Sequence, residues 1–148
     1  MIWKTWVTLE ELKLRNPGTI HEALGIEFTA IGEDYLEAQM PVDARTRQPA
    51  GILHGGASVV LAESLGSIAS HLVIGLDTGI CVGIEINASH LSSVGSGWVL
   101  GRVTPVRLGR TLHVWDIKIR EQSSQENKYT CMSRLTVMVR PKSSKAVS

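Results

Sequence analysis

The sequence predicts an α+β fold in which one antiparallel sheet curls around one long buried helix. Three observations carry that reading. A single stretch of helical period, Gly55 to about Ile74, is apolar or small around most of its circumference. Runs of period-two alternation stand on both sides of it, two before and three to four after. The turns between those runs are short, which makes sheet neighbours antiparallel.

The elements follow in order. Thr8-Leu9-Glu10-Glu11-Leu12 opens a short helical segment at about 8–15, with Thr8 as N-cap and Glu11 completing a capping box. Asn16-Pro17-Gly18 ends it. A strand around Gly25–Ile31 turns at Gly32-Glu33-Asp34 into a second, where Leu36, Ala38 and Met40 alternate with Glu37 and Gln39. Pro41 stops that pair, and Asp43 to Gly51 has no period and reads as a loop. In the long helix Leu61, Leu65, Ile68 and Leu72 form one stripe, flanked by Ala62, Gly66, Ala69 and Val73, and Gly75, Asp77 and Gly79 break it. Ile80, Val82, Ile84, Ile86 and Ala88 then alternate with Cys81, Gly83, Glu85, Asn87 and Ser89. Trp98–Thr104 follows the Gly95-Ser96-Gly97 turn and stops at Pro105. After Leu108-Gly109-Arg110, residues Trp115, Ile117 and Ile119 share one face. Tyr129, Cys131, Ser133, Leu135, Val137 and Val139 share another, and a polar tail spans 141–148. Strands 80–91 and 98–104 are each expected to leave a sheet edge, and edges so rich in Ile and Val invite a second copy.

Length and composition narrow the function classes. The chain has 148 residues, one domain spanning 1–148, and at this size roughly 68–70% of the unfolded surface is buried on folding. Fifteen basic against fourteen acidic residues leave a formal charge of +1, so no basic field recruits nucleic acid. Four Trp, two Tyr and one Phe are too few for base-stacking platforms. Two cysteines, Cys81 and Cys131, do not make a disulfide scaffold. The apolar stretch Gly55–Leu76 carries Glu63, His71, serines and glycines, which argues against a membrane span. Met1-Ile2-Trp3-Lys4 begins no secretory signal, so a cytoplasmic protein is expected.

Glu63 is the residue most suggestive of chemistry. It is the only carboxylate between Asp43 and Asp77, it lies mid-helix, and no Lys or Arg stands at i±3 or i±4 to pair with it. Its face carries Val59, Val60, Ser67 and Ser70, the composition of a cleft wall. At the helix start, His54-Gly55-Gly56 offers free N–H groups and close backbone approach, the makings of an oxyanion hole. Glu63 lies about 10–12 Å further along the axis. A carbonyl held at one helix start could therefore face the carboxylate of a second subunit's helix. No Gly-x-Ser-x-Gly, Gly-x-Gly-x-x-Gly or Walker motif is present, and the histidines lack metal-ligand spacing, so no metal site is expected.

The run Gln48-Pro49-Ala50-Gly51-Ile52-Leu53-His54-Gly55-Gly56-Ala57-Ser58-Val59-Val60-Leu61-Ala62-Glu63-Ser64-Leu65-Gly66-Ser67 resembles the signature of hotdog-fold acyl-CoA thioesterases. The similar branch acts on aromatic acyl-CoA and acyl-carrier-protein thioesters. The resemblance extends through Leu36-Glu37-Ala38, Met40-Pro41-Val42-Asp43, Glu85-Ile86-Asn87-Ala88, Leu108-Gly109-Arg110 and Ser133-Arg134-Leu135. It implies Glu63 as nucleophile or general base, the Gly55 N–H as oxyanion donor, and Gln48 and His54 positioning substrate or water. Ser67 would hydrogen-bond near the carboxylate, with Ser64 beside the substrate. Gly83, His90, Ser93 and the Arg107-Leu108-Gly109-Arg110 turn would line the coenzyme A channel. Arg102, Arg107 and Arg110 would be available to its phosphates. The resemblance further implies a homodimer that forms the site, assembled as a homotetramer, and no cofactor, coenzyme A being part of substrate and product. The chain departs from the pattern at Ala50, Ser92 and Arg107, where close relatives often carry Phe, Arg and His. A non-catalytic acyl-CoA sensor on the same fold is the alternative reading. It would tolerate loss of the carboxylate, which this chain retains. Hydration of an enoyl-CoA expects an Asp/His pair near the helix, and none is found.

Overall fold

A computed structural model describes residues 1–125 and 128–142. Its elements are α1 (Leu9–Lys13), α2 (Ile20–Leu24), β1 (Glu27–Ile31), β2 (Leu36–Pro41), α3 (Gly55–Ile74), β3 (Gly79–His90), β4 (Trp98–Leu108), β5 (Leu112–Glu121) and β6 (Tyr129–Pro141). The six strands form one antiparallel sheet in the order β1-β2-β4-β5-β6-β3, wrapped around α3. The expected fold class holds.

Local chemistry accounts for the elements. The Thr8 capping box on α1 is formed as expected, with the Glu11 N–H donating to Thr8 Oγ1 and the Thr8 N–H to Glu11. That contact holds the Glu11 carboxyl below its ordinary pKa. Helix α2 is an element the sequence reading missed. Thr19 caps it and Gly25, at φ 68°, closes it, but five residues are too few for the helical period to show. Leu61, Leu65 and Leu72 of α3 are fully buried, as are Leu36, Ala38 and Met40 of β2, Trp115, Ile117 and Ile119 of β5, and Leu135 and Val137 of β6. Helix α3 is long and apolar enough to span a bilayer, yet the sheet buries most of it, as befits a core helix. Gly101 lets β4 pass close beneath it, since a Cβ there would lie 2.8 Å from Leu65 Cδ1. Ser70, expected beside Glu63, instead faces the core and accepts the Trp115 indole N–H at 2.7 Å. Without that hydroxyl the buried N–H would cost about 1–3 kcal/mol.

Three expectations about the strands need correction. First, β4 is no edge: it lies between β2 and β5, and the edges are β1 and β3. Second, β4 does not stop at Pro105 but continues to Leu108 through a bulge between Pro105 and Arg107, where a residue lacking an N–H is tolerated. Third, the alternation expected to run unbroken over residues 80–89 is interrupted within β3. Ile80, Val82 and Ile84 are exposed while Cys81 is buried. A bulge between Gly83 and Glu85 then shifts the register and turns Ile86 and Ala88 inward. The small residues Gly79, Cys81 and Gly83 therefore face the helix, and the bulky ones line the outside of an open edge. The C-terminal strand reaches Pro141, and the Lys142 N–H bonds to the Thr78 carbonyl. Most of the expected polar tail, 143–148, lies outside the described residues.

Candidate active site

The entrance to α3 is held from both sides. The Leu53 N–H donates to the Val94 carbonyl at 2.7 Å and the His54 N–H to the Thr46 carbonyl at 2.8 Å. Thr46 is itself buried, its hydroxyl donating to the Pro41 carbonyl at 2.7 Å. His54 is the N-cap: its Nδ1 accepts the Gly56 N–H at 2.8 Å, and its carbonyl accepts the Ala57 and Ser58 N–H groups. An accepting Nδ1 places the proton of the neutral ring on Nε2. Among the described residues the Gly55 N–H is the one amide of this first turn left without a partner, and the helix dipole adds to its pull on negative charge.

His90, at the far end of β3, lies against Gly55 so closely that a Cβ there would sit 2.8 Å from His90 Nε2. Gln48, Gly55, Ser58, His90, Ser92 and Ser93 share the wall of one cavity of about 420 Å³. The Gln48 side chain is fixed at its lip, Oε1 accepting the Ala50 N–H at 2.5 Å. The structure thus brings Gln48, His54, Gly55, His90 and Ser93 to one end of α3. Ser58, which lies within the Gln48–Ser67 run but was given no role there, joins that wall, as does Thr130, to which no motif points.

Glu63 stands mid-helix and half-buried, and its carboxylate lies directly over Gly83, touching the space that a Cβ would take. Among the described residues it makes no hydrogen bond or ion pair. Ser67 shares its face, but the expected hydrogen bond between them is not formed, and Ser64 is buried. Gly83 is therefore needed by the carboxylate. Gly83→Ala is expected to rotate Glu63 out of position and lower kcat by roughly 10²-fold, the scale of a 1 Å misplacement. Steady-state kinetics beside a thermal melt checks this, since the melt should barely move.

The other proposed channel residues lie elsewhere in the protomer. Leu108, Gly109 and Arg110 line a cavity of about 610 Å³ with Lys4, Ile74 and His113 at the opposite end of α3. That end is roughly 28 Å from Gly55 along the helix axis. Arg107 is exposed beside it. His113 is buried, among the described residues its Nδ1 has no partner, and burial pulls its pKa below that of an ordinary imidazole. It stands two residues before Trp115, on the strand face that Trp115, Ile117 and Ile119 share. Arg102 is not available to a phosphate: it pairs with Glu37 at 2.6 Å and lies over the Tyr35 ring on the outer face of the sheet. The cysteines offer no nucleophile, since burial pushes the Cys81 thiol up to about 11 and the Cys131 thiol upward too. Among the described residues no cluster of metal ligands exists.

Comparisons with known proteins give the family. Residues 50–128 match the family model described as the thioesterase superfamily. The chain is 48% identical to the 1,4-dihydroxy-2-naphthoyl-CoA hydrolase of Escherichia coli, covering 94% of this chain and 99% of that one. It is 49% identical to the proofreading thioesterase EntH of Cronobacter turicensis, over 94% and 98% of the two chains. The crystal structure of a Haemophilus influenzae thioesterase superposes with a TM-score of 0.90 at 50% identity, covering 95% of this chain and 96% of that one.

Proposed function

The chain belongs to the thioesterase superfamily and is a hotdog-fold thioester hydrolase, from which we propose that Glu63 drives attack on an aromatic acyl thioester whose carbonyl oxygen rests on the Gly55 N–H of a second subunit. One observation carries the reading. Gly55 and Glu63 are separated by about 12 Å of one helix, and the amide points off the helix end while the carboxylate points sideways onto Gly83. A single carbonyl within ~3 Å of both must take them from different chains.

The fold supplies the means. β3 is an open edge bearing exposed Ile80, Val82 and Ile84, which a second β3 would cover by antiparallel pairing about a two-fold axis. His90 closes one end of β3 beside Gly55, and Gly79 opens the other beside Ile74. Antiparallel pairing sets the Gly55–His90 cavity of one protomer next to the Arg110–His113 cavity of the other. Gln48, His90 and Ser93 would then face Arg107 and Arg110 across the interface. That arrangement reunites the channel residues and offers cations to coenzyme A phosphates. The thioester carbonyl gains charge at the Gly55 N–H as Glu63 attacks it or takes a proton from water, and the thiol leaves. The E. coli relative is named for a dihydroxylated naphthoyl thioester, which supports an aromatic acyl group here. The same site would take acyl-carrier-protein thioesters. A homotetramer of such dimers in the cytoplasm, without a metal or cofactor, completes the reading.

Subunit mixing tests the shared site. Glu63→Gln and Gly55→Pro proteins, each nearly inactive, are unfolded and refolded together. Half of the dimers are mixed, and each has one intact site of two, so about one quarter of wild-type thiol release should return. Recovery of no activity, with mixed dimers demonstrated by native mass spectrometry, would place both groups in one chain.

A further inference from the structure

His113 lies on the inner face of β5, 2% exposed, with its ring edge-on to Trp115 at 6.2 Å between centroids. Among the described residues its Nδ1 has no partner, and the hydrogen bond of the ring is to the backbone of Gly109. Nε2 is therefore the bonded nitrogen, donating to the Gly109 carbonyl, and the neutral ring keeps Nδ1 as a buried lone pair. A buried polar atom without a partner is costly and calls for an account. Packing on Trp115 gives none, because a phenyl ring would sit there as well. The bond to Gly109 gives one.

Gly109 stands in the turn between β4 and β5. Its N–H donates to the Leu112 carbonyl at 2.8 Å, so with His113 on its carbonyl both backbone groups are fastened. The Val139 N–H, donating to the Thr111 carbonyl at 2.8 Å, ties the same turn to β6. Arg107 and Arg110 flank Gly109, both exposed, and among the described residues neither has an ion pair or hydrogen bond. Arg107 rides over the turn, its Nε 3.5 Å from the place that a Gly109 Cβ would take. The cations are free while the backbone that carries them is fixed.

From this geometry we infer that His113 is a positioning residue for the coenzyme A half of the substrate, holding the Arg107–Arg110 turn where its cations meet the phosphates. The inference rests on the role given to that turn above. His113 acts through the backbone and touches no substrate, since its one unbonded nitrogen is closed off from the cavity that the ring helps to line. A turn set in advance by hydrogen bonds needs no ordering when the phosphates arrive. Its contribution therefore belongs to binding of the nucleotide end and not to the chemistry at the thioester, so it falls on KM and leaves kcat alone.

The test compares benzoyl-CoA with the benzoyl thioester of N-acetylcysteamine, which keeps the reacting centre and lacks the phosphates. His113→Phe keeps a ring on Trp115 and removes both nitrogens, whereas His113→Gln keeps an N–H at about the reach of Nε2. His113→Phe should raise KM for benzoyl-CoA roughly 3–10-fold, the scale of one hydrogen bond, with kcat unchanged. Both constants for the short thioester should stay at their wild-type values. The melting temperature should hold or rise, because the orphaned nitrogen is gone. His113→Gln should recover most of the lost KM. Arg107→Ala/Arg110→Ala should show the same split more strongly, and adding His113→Phe to it should change nothing further. Equal changes on both thioesters, a loss confined to kcat or an unchanged KM overturns the inference. So does a ring whose replacement by Phe and by Leu alike unfolds the protein, which would make it structural. The two readings fail separately. An arginine variant that treats both thioesters as wild type does counts against the turn itself, and the inference falls with it. An arginine variant that shows the split beside a phenylalanine variant that does not counts against His113 alone.

Discussion

Replacing Glu63 by Gln is expected to lower kcat for thioester hydrolysis by about 10²–10⁴-fold, the range lost when a positioned acid–base group is removed. The substitution keeps the shape of the side chain and its seat over Gly83 while removing the negative charge. KM should change little, because acyl and coenzyme A contacts are untouched. Stability should hold or rise slightly. The wild-type carboxylate is half-buried and, among the described residues, has neither hydrogen bond nor ion pair, so no stabilising contact is lost and a desolvated charge is relieved. Thiol release followed spectrophotometrically, beside a thermal melt of the same preparation, checks both halves. An activity within a few-fold of wild type would remove Glu63 from the mechanism. A variant that loses activity and melts early would mean only a structural role. If Glu63 attacks directly and water opens the resulting anhydride at the glutamyl carbon, a single turnover in oxygen-18 water places label in its carboxylate. General-base catalysis leaves the label in the released acid.

Glu63 could be found in the sequence because a carboxylate without a helical partner, set among apolar residues, violates the pattern around it. The α3 stripe and the faces of β2, β5 and β6 were legible for the complementary reason: their alternation follows burial without interruption. In β3 the bulge that interrupts the alternation leaves no mark in the sequence, and the most apolar face of its first half is the exposed one. Periodicity reports which residues share a face, not which face meets the core. Here the demand for room beside Glu63 and α3 put Gly79, Cys81 and Gly83 inside, leaving Ile80, Val82 and Ile84 outside. Single-chain burial and hydrophobicity disagree at that strand, and the proposed pairing with a second copy would resolve the disagreement.

The site was legible residue by residue but not as an arrangement. His54-Gly55-Gly56 announced a helix start, yet nothing in the spacing said that Nδ1 of His54 would take the Gly56 N–H and leave that of Gly55 free. His90 lies far along the chain from Gly55, and only the antiparallel course of β3 along α3 brings them together. Arg102 was misassigned because a cation on a strand reveals neither its face nor its partner. Its register opposite Glu37 on β2 decides both. These are long-range consequences of sheet order, which a local pattern does not contain.

Gly55→Pro is expected to reduce kcat by about 10²–10³-fold, the loss that follows removal of one oxyanion donor. Gly55 is the first residue of α3, where proline's fixed φ suits the helix and its missing N–H breaks no helical hydrogen bond. His54 already has the extended backbone that proline demands of its predecessor, at φ −68° and ψ 131°. The helix should therefore remain intact while the amide that has no partner among the described residues disappears. The complication is steric, since any Cβ at this position comes within 2.8 Å of His90 Nε2. Gly55→Ala separates the two effects because it introduces the same Cβ and keeps the N–H. If the amide stabilises the developing oxyanion, alanine should cost far less than proline in kcat, and both should shift KM alike as His90 gives way. Equal losses in the two variants would assign the effect to displacement of His90, and the Gly55 amide would have no part in the chemistry.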